Sequence, residues 1–153
     1  MLSRRTGVKP ELARPLAVAD IPAGGWPAGG RSVHVEASEE ERAALARRLR
    51  IPGIEALACD FTLRRAPRGA IEAAGRLAAR VVQTCVVTAE DFSAEMEEEF
   101  SVRFVPAGGG AVDFDPEAPD EIPYEDGTLD LGEATAEQLA LALDPWPRRP
   151  DAG

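Results

Sequence analysis

The feature that most constrains the fold is a long alternation of apolar and polar residues in the middle of the chain. Apolar side chains occupy odd positions over residues 57–63 and 71–87, and even positions over residues 92–104. A period of two is typical of strands that bury one face. The turn sequences RAPRGA and TAED separate the three stretches. The pattern predicts an antiparallel meander of three strands.

The second and third strands of this meander can be aligned across a predicted four-residue loop, Thr88–Asp91. The predicted pairs are Val87 with Phe92, Cys85 with Ala94 and Leu77 with Val102. Paired residues share a face of the sheet, so one face becomes apolar and the other collects Arg and Glu. Gln83 and Glu98 are the polar exceptions on the apolar face.

Two helices flank the meander. Ser38 and Glu41 have the spacing of a capping box before a run that ends at IPG, residues 51–53. Asp130 and Glu133 are predicted to cap a second helix, which Asp144-Pro145 stops. Extended segments are predicted at residues 15–18 and 32–37. The fold class that follows is α+β, with a mainly antiparallel sheet and two helices.

The predicted organisation is a single α+β domain over residues 12–147. Residues 1–11 are predicted to be a disordered tail, and residues 148–153 a second tail. Residues 106–128 are acidic and rich in Pro and Gly with little periodicity, which predicts a long mobile loop.

The charge balance argues against one class of function. The chain carries 27 acidic and 17 basic residues, a formal charge of −10. Nonspecific nucleic-acid binding depends on Lys and Arg neutralising phosphates, so a strongly acidic chain fits it poorly. We find no signal-peptide pattern and no apolar run long enough for a membrane span. With two cysteines, the expectation is a cytoplasmic protein with reduced thiols.

The sequence offers little catalytic chemistry. Cys85 and the single histidine, His34, could form a nucleophile–base pair only if they met, but they are predicted on opposite faces of their strands. Cys59 and Cys85 are therefore interpreted as buried packing residues. No metal-ligand spacing, phosphate loop or small-molecule site is evident, so we expect no enzyme activity, metal or cofactor.

Two surfaces remain as candidate binding sites. A basic patch could form from arginines of the first helix and the first meander turn, although these arginines also fit a solvated face that balances local acids. These arginines are Arg42, Arg47, Arg48, Arg50, Arg64, Arg65 and Arg68, and for them the solvated face is the favoured interpretation. Alternatively, the acidic loop together with Trp146, set between two prolines, could hold a basic protein partner.

The segment from Asp126 to Pro147 carries a D-G-x-L-D-L-x-E-x-x-x-E-Q-L-x-L-x-L-x-P-x-P pattern. In this segment, and in the strand block 82–86, the chain resembles the YceD family of large ribosomal RNA subunit accumulation proteins. Members often have C-x-R-C-L in the strand block, whereas this chain has Val82 at the first cysteine. A zinc site of the kind that cysteine-rich members could hold is therefore not expected here.

The resemblance implies a non-enzymatic bacterial factor of ribosome biogenesis. It would support accumulation of large-subunit (23S) ribosomal RNA by binding a ribosomal protein, an assembly factor or pre-ribosomal RNA. The alternative is an acidic protein–protein interaction module unrelated to RNA. The binding residues expected on this reading are Asp126, Gly127, Asp130, Leu131, Glu133, Glu137, Gln138 and Leu139, with Arg47, Arg48 and Trp146.

Overall fold

The alternating stretch forms the middle of a five-stranded sheet in a computed structural model, which describes residues 11–22, 30–107 and 120–148. The elements in chain order are β1 (Pro15–Ala17), β2 (Arg31–Glu36), α1 (Glu39–Leu49), β3 (Gly53–Arg65), β4 (Ile71–Thr84), β5 (Asp91–Pro106), β6 (Asp120–Tyr124), β7 (Thr128–Asp130) and α2 (Leu131–Ala142).

The five-stranded sheet has the order β2-β3-β4-β5-β6. Its first four strands are antiparallel neighbours, and β6 runs parallel to the end of β5. β1 and β7 form a separate two-stranded antiparallel ribbon. The predicted α+β class with a mainly antiparallel sheet is confirmed. Neither helix in the described ranges is long and apolar enough to cross a membrane.

Local hydrogen bonds set where both helices begin. The Glu41 amide donates to Ser38 Oγ at 3.2 Å and the Ser38 amide donates to Glu41 Oε1 at 2.8 Å, which confirms the capping box. In α2, Asp130 Oδ1 accepts from the amides of Gly132 and Glu133 at 3.0 and 3.1 Å. The predicted capping role of the Glu133 side chain is wrong, because that carboxylate extends to an arginine of α1 instead.

The core lies between one face of the sheet and a layer formed by both helices and the β1–β7 ribbon. Leu45 of α1 and Leu131 and Leu139 of α2 are completely buried in this layer. The sheet contributes the inward residues of β3 and β4, such as Phe61 and Leu77. The outward residues of the same strands are charged, such as Asp60 and Arg76, or small, chiefly Ala and Thr. The sheet therefore has one covered apolar face and one charged face, called here the open face.

The predicted register of β4 with β5 is wrong by four residues, although the predicted faces are right. Leu77 lies opposite Glu98 and Thr84 opposite Asp91, so the connection spans residues 85–90 rather than 88–91. An even shift leaves every side chain on its predicted face. The observed register sets Arg76 against Glu99, whereas the predicted one would have set Arg76 against Arg103.

A glycine gives a second reason for this register. Gly75 lies opposite Phe100, and a Cβ at Gly75 would be 2.3 Å from the Phe100 ring. The ring uses the space that the glycine leaves and packs edge to face on Phe61, with ring centroids 5.8 Å apart. The predicted register would have opposed Phe100 to Ala79, whose methyl group removes that space.

The register also corrects the position of Cys85. The strand ends at Thr84, and Cys85 begins the turn instead of pairing with Ala94. Its amide donates to the Glu90 carbonyl at 2.8 Å, and its carbonyl accepts from the Ala89 amide at 2.8 Å. Cys85 is nevertheless buried, as expected, with 1% of its surface exposed.

The segment 106–128 is not a loop throughout. It contains β6, which pairs in parallel with residues 102–106 of β5, and the first residue of β7. The Tyr124 hydroxyl donates to the Gly69 carbonyl at 2.6 Å and so fastens β6 to the turn before β4. Residues 108–119, and the tails 1–10 and 149–153, lie outside the described residues.

Candidate interaction groove

A groove of about 940 Å³ lies between α2, the β6–β7 connection, the end of α1 and the segment that precedes β1. A space of this size is typical of a binding cleft. Its apolar floor includes Phe104, Ile122, Leu129 and Ala134, and Tyr124 stands at its side. We call it the acidic groove because of the residues that surround this floor.

Carboxylates are the most numerous charged groups in the lining of the groove. The acidic lining residues are Glu11, Glu125, Asp126, Asp130, Glu133 and Glu137. Among the described lining residues, one guanidinium, that of Arg48, faces these six carboxylates. The local charge is thus strongly negative even if Arg48 compensates part of it.

Arg48 bridges two of the groove's walls. Its Nη1 lies 3.1 Å from Glu11 Oε1 and 3.4 Å from Glu133 Oε1. Glu11 belongs to the N-terminal segment and Glu133 to the first turn of α2, so the arginine links three elements. Burial lowers the pKa of this guanidinium and the two glutamates raise it, with a net increase that keeps it charged.

Glu137 lies one helical turn after Glu133 on the same side of α2. It is half-buried, and this burial raises the pKa of its carboxyl group, to which the charge of Glu133 adds. Arg48 opposes the increase without cancelling it. Two carboxylates crowded in this way are stabilised by any additional cation that enters the groove.

The N-terminal segment forms its wall by packing against the start of α2. The Arg14 amide donates to Asp130 Oδ1 at 2.9 Å, and the Leu131 amide donates to the Arg14 carbonyl at 3.0 Å. A Cβ on Gly132 would lie 2.7 Å from the Leu12 carbonyl oxygen. Gly132 is therefore required for this close approach. Sequence reasoning missed its role, because nothing local marks a contact with a segment so far away in the chain.

Arg14 also fixes the segment to α1. Its guanidinium contacts both carboxylate oxygens of Glu41, at 2.7 and 2.8 Å, and donates to the Glu36 carbonyl at 2.8 Å. This bidentate contact, together with the Ser38 amide, lowers the pKa of Glu41 to about 2. Glu41 thus serves as a helix cap and as an ion-pair partner, and the sequence indicated only the cap.

The sequence-predicted binding residues divide into distinct groups. Asp126, Asp130, Glu133, Glu137 and Arg48 line the groove. Leu131 and Leu139 are completely buried and serve packing, while Gln138 is half-buried and outside the lining.

The remaining predicted residues lie outside α2. Gly127 forms the turn beside the groove with a φ of +65°. Arg47 and Trp146 are exposed elsewhere, Trp146 to 72%. Glu11 and Tyr124 are groove residues that the sequence analysis did not select.

The predicted basic patch does not form as a set of unengaged arginines. Arg42 donates to the Glu55 carbonyl and Arg65 to the carbonyls of Ile21 and Val18. Arg64 pairs with Glu72 at 2.7 Å. These contacts and those of Arg48 use most of the proposed patch within the protein itself.

The thiols and the imidazole are not assembled for catalysis. His34 Nδ1 lies 2.6 Å from Asp60 Oδ1 on the open face, and Cys85 Sγ accepts from the Thr88 amide at 3.5 Å. Burial raises the pKa of the Cys59 thiol to about 12, which removes its nucleophilic thiolate form. Within the described ranges, no group of three or more His, Cys, Asp or Glu is arranged to hold a metal ion.

The fold and the groove define a two-layer α+β protein with an acidic cleft. The family model described as "Large ribosomal RNA subunit accumulation protein YceD" matches residues 73–153, which include most of β4 and all of β5, β6, β7 and α2. The chain belongs to this family. A search of curated proteins and a search of solved structures gave no significant match.

Proposed function

We propose that this chain supports the accumulation of large-subunit ribosomal RNA by holding a basic protein of the large subunit, or of its assembly machinery, in the acidic groove. The family description supplies the process. The excess of carboxylates around the groove supports the choice of a basic protein as the partner. In this role the chain acts as an adaptor and not as an enzyme.

The electrostatics of the groove favour a cationic occupant. Glu133 and Glu137 are like charges on one helix face, and Glu137 is partly withdrawn from water. A Lys or Arg from a partner would offset both the repulsion between these two carboxylates and the desolvation of Glu137. It adds a positive charge to a groove in which Arg48 alone does not balance the carboxylates. The apolar floor offers contact area for the aliphatic part of such a side chain.

Direct binding of pre-ribosomal RNA is the second candidate, and it has weaker support. Most arginines on the described surface donate to glutamates or carbonyls of the chain itself, as the contacts of Arg42, Arg64 and Arg80 show. Arg47, Arg50, Arg68 and Arg148 make no hydrogen bond or ion pair through their side chains with any described residue. Four such arginines are few for a phosphate-binding surface on an acidic protein.

Affinity capture of the tagged chain from cells, with and without RNase treatment, separates the two candidates. We expect a basic protein of the large subunit to remain bound after RNase treatment. The Glu137→Lys variant should lose it, since this change places a cation in the groove while forming a favourable i,i+4 pair with Glu133. Glu40→Lys, on the exposed first turn of α1, makes the same charge change outside the groove and should retain the partner. Loss of all bound protein after RNase would support direct RNA binding instead.

A further inference from the structure

Within the part of the chain that the structure describes, β5 has an open backbone edge along residues 91–101. On one side β5 pairs with β4 from Asp91 to Phe104. On its other side β6 pairs only with residues 102–106. Among residues 11–22, 30–107 and 120–148, no strand covers the outer edge of residues 91–101. Such an edge presents N–H and C=O groups to which a further strand can bind.

The side chains along this edge alternate in character. Glu95, Glu97 and Glu99 point to the open face, and Phe92, Ala94 and Met96 are half-buried on the covered face. An added strand would place its own side chains beside these rows, because strands in one sheet share the same pleat. It would therefore meet carboxylates on one face and apolar groups on the other.

Part of the negative charge along the edge has no ion-pair partner among the described residues. Glu95 and Glu99 pair with Arg80 and Arg76, each at 2.8 Å. Glu97 lies opposite Ala78, and Glu98 is exposed on the covered face opposite Leu77. Neither Glu97 nor Glu98 makes a hydrogen bond or an ion pair with a described residue. The edge thus carries charge that a basic strand would neutralise.

We propose that the edge of β5 binds an extended basic peptide as an added strand of the sheet. Lys or Arg at alternate positions of the peptide would lie beside Glu95, Glu97 and Glu99. Apolar β-branched residues at the intervening positions would lie beside Phe92, Ala94 and Met96. The edge shares no residue with the acidic groove, so this site does not depend on the function proposed for the groove.

The same charges argue against the two other occupants of an open edge. A second copy of the chain paired edge to edge would bring glutamates against glutamates, which is unfavourable. An RNA strand would bring phosphates to the same carboxylates. A basic peptide is the occupant that the chemistry of this edge favours.

The test uses the full chain and a fluorescent peptide of about ten residues, a common strand length, with alternating Lys and Val. Fluorescence anisotropy measures binding, and hydrogen exchange measures protection of residues 91–101. We expect binding that weakens with added salt, together with increased protection of these amides. Two control peptides test the mode of binding: one with Lys and Val in separate blocks, and one N-methylated at alternate residues to remove the donors of one edge. Both should bind about tenfold more weakly or worse.

Two variants test the position of the site. Glu97→Lys combined with Glu98→Lys should weaken binding about tenfold or more. Glu39→Lys combined with Glu40→Lys gives the same change in net charge on α1 and should have a small effect. Equal effects of the two double variants, or equal binding of the N-methylated peptide, would overturn strand addition. So would a peptide-free dimer whose hydrogen-exchange protection maps to residues 91–101.

Discussion

The acidic groove and the open face of the sheet are both rich in charge, but they use it differently. On the open face each arginine has a carboxylate neighbour: Arg64 and Arg103 contact Glu72, Arg76 contacts Glu99, and Arg80 contacts Glu55 and Glu95. In the groove, six carboxylates line a space with one described guanidinium.

The difference shows which charges are available to a partner. A cross-strand pair that is satisfied within the sheet must be disrupted before either group can bind another molecule, and exposed pairs contribute little to stability. In the groove, six carboxylates lie beside one described guanidinium, and one of them, Glu137, is partly desolvated. A count of charges in the sequence cannot separate these two cases, whereas the geometry can.

The largest predicted effect concerns packing beneath the groove. Leu139→Ala should lower the free energy of unfolding by about 2–5 kcal/mol, because Leu139 is fully buried and its truncation leaves a cavity. Urea denaturation measures this change. Leu141→Ala on the same helix is the matched control, and because Leu141 is 71% exposed its effect should stay within about 0.5 kcal/mol. Similar losses for both variants would contradict the orientation of α2.

The next effect concerns the wall of the groove. Gly132→Ala should lower the free energy of unfolding by about 1–3 kcal/mol, since the added methyl group meets the backbone of the N-terminal segment. Gly53→Ala is the control, because the nearest atom to its Cβ would be Val82 Cγ2 at 3.9 Å. If thermal denaturation shows the two variants to be equally stable, the N-terminal segment does not pack where we describe it.

A third prediction tests the ion pair that fastens this segment to α1. The folded pKa of Glu41, about 2, is below its ordinary value of 4.5, so its contribution to stability is present above pH 4.5 and is lost as the pH falls toward 2. Glu41→Gln should cost up to about 1 kcal/mol at neutral pH. The difference between variant and parent should shrink over that acid range in pH-dependent denaturation. A constant difference would show that the charge of Glu41 is not responsible.

Removing one ion pair from the open face should change the stability of the protein only slightly. The side chain of Arg76 is 65% exposed, so Arg76→Ala should lower the free energy of unfolding only slightly, and added salt should reduce the loss further. A loss as large as that of Leu139→Ala would mean that the open face is not solvated as described and would remove the contrast with the groove.

The smallest effect concerns the single histidine. Hydrogen bonds to Asp60 and Glu36 raise the pKa of His34 above 6.5, so its contribution to stability is present below that value and is lost as the pH rises through the folded pKa. NMR titration of this one imidazole should show the raised pKa, and Asp60→Asn should lower it. An unchanged titration in the variant would rule out the Asp60 contact.

The sequence predicts best those features that neighbouring residues determine. Ser38 and Glu41 mark the start of α1 because the capping hydrogen bonds join residues three apart. The faces of β4 and β5 follow from a period of two. Their register was predicted incorrectly because it depends on pairs such as Gly75 with Phe100, which alternation alone does not specify.

One wall of the groove was predictable because residues close together in the sequence form it. The family pattern selects Asp126, Asp130, Glu133 and Glu137, which the turn before β7 and the first turns of α2 bring to one side. Its other wall comes from the N-terminal segment, and the hydrogen bond between Arg14 and Asp130 spans 116 positions. β6 was missed because Pro123 and its acidic residues give a weak strand signal, and its partner strand is parallel.

The most direct test of the central claim is the ratio of mature large-subunit to small-subunit ribosomal RNA in cells whose only copy of the chain carries Glu137→Lys. If the groove holds the partner, this ratio should fall as it does on depletion of the chain, while Glu40→Lys restores the parental ratio. A parental ratio with Glu137→Lys, in a variant shown to be folded and equally abundant, would contradict the function proposed for the acidic groove.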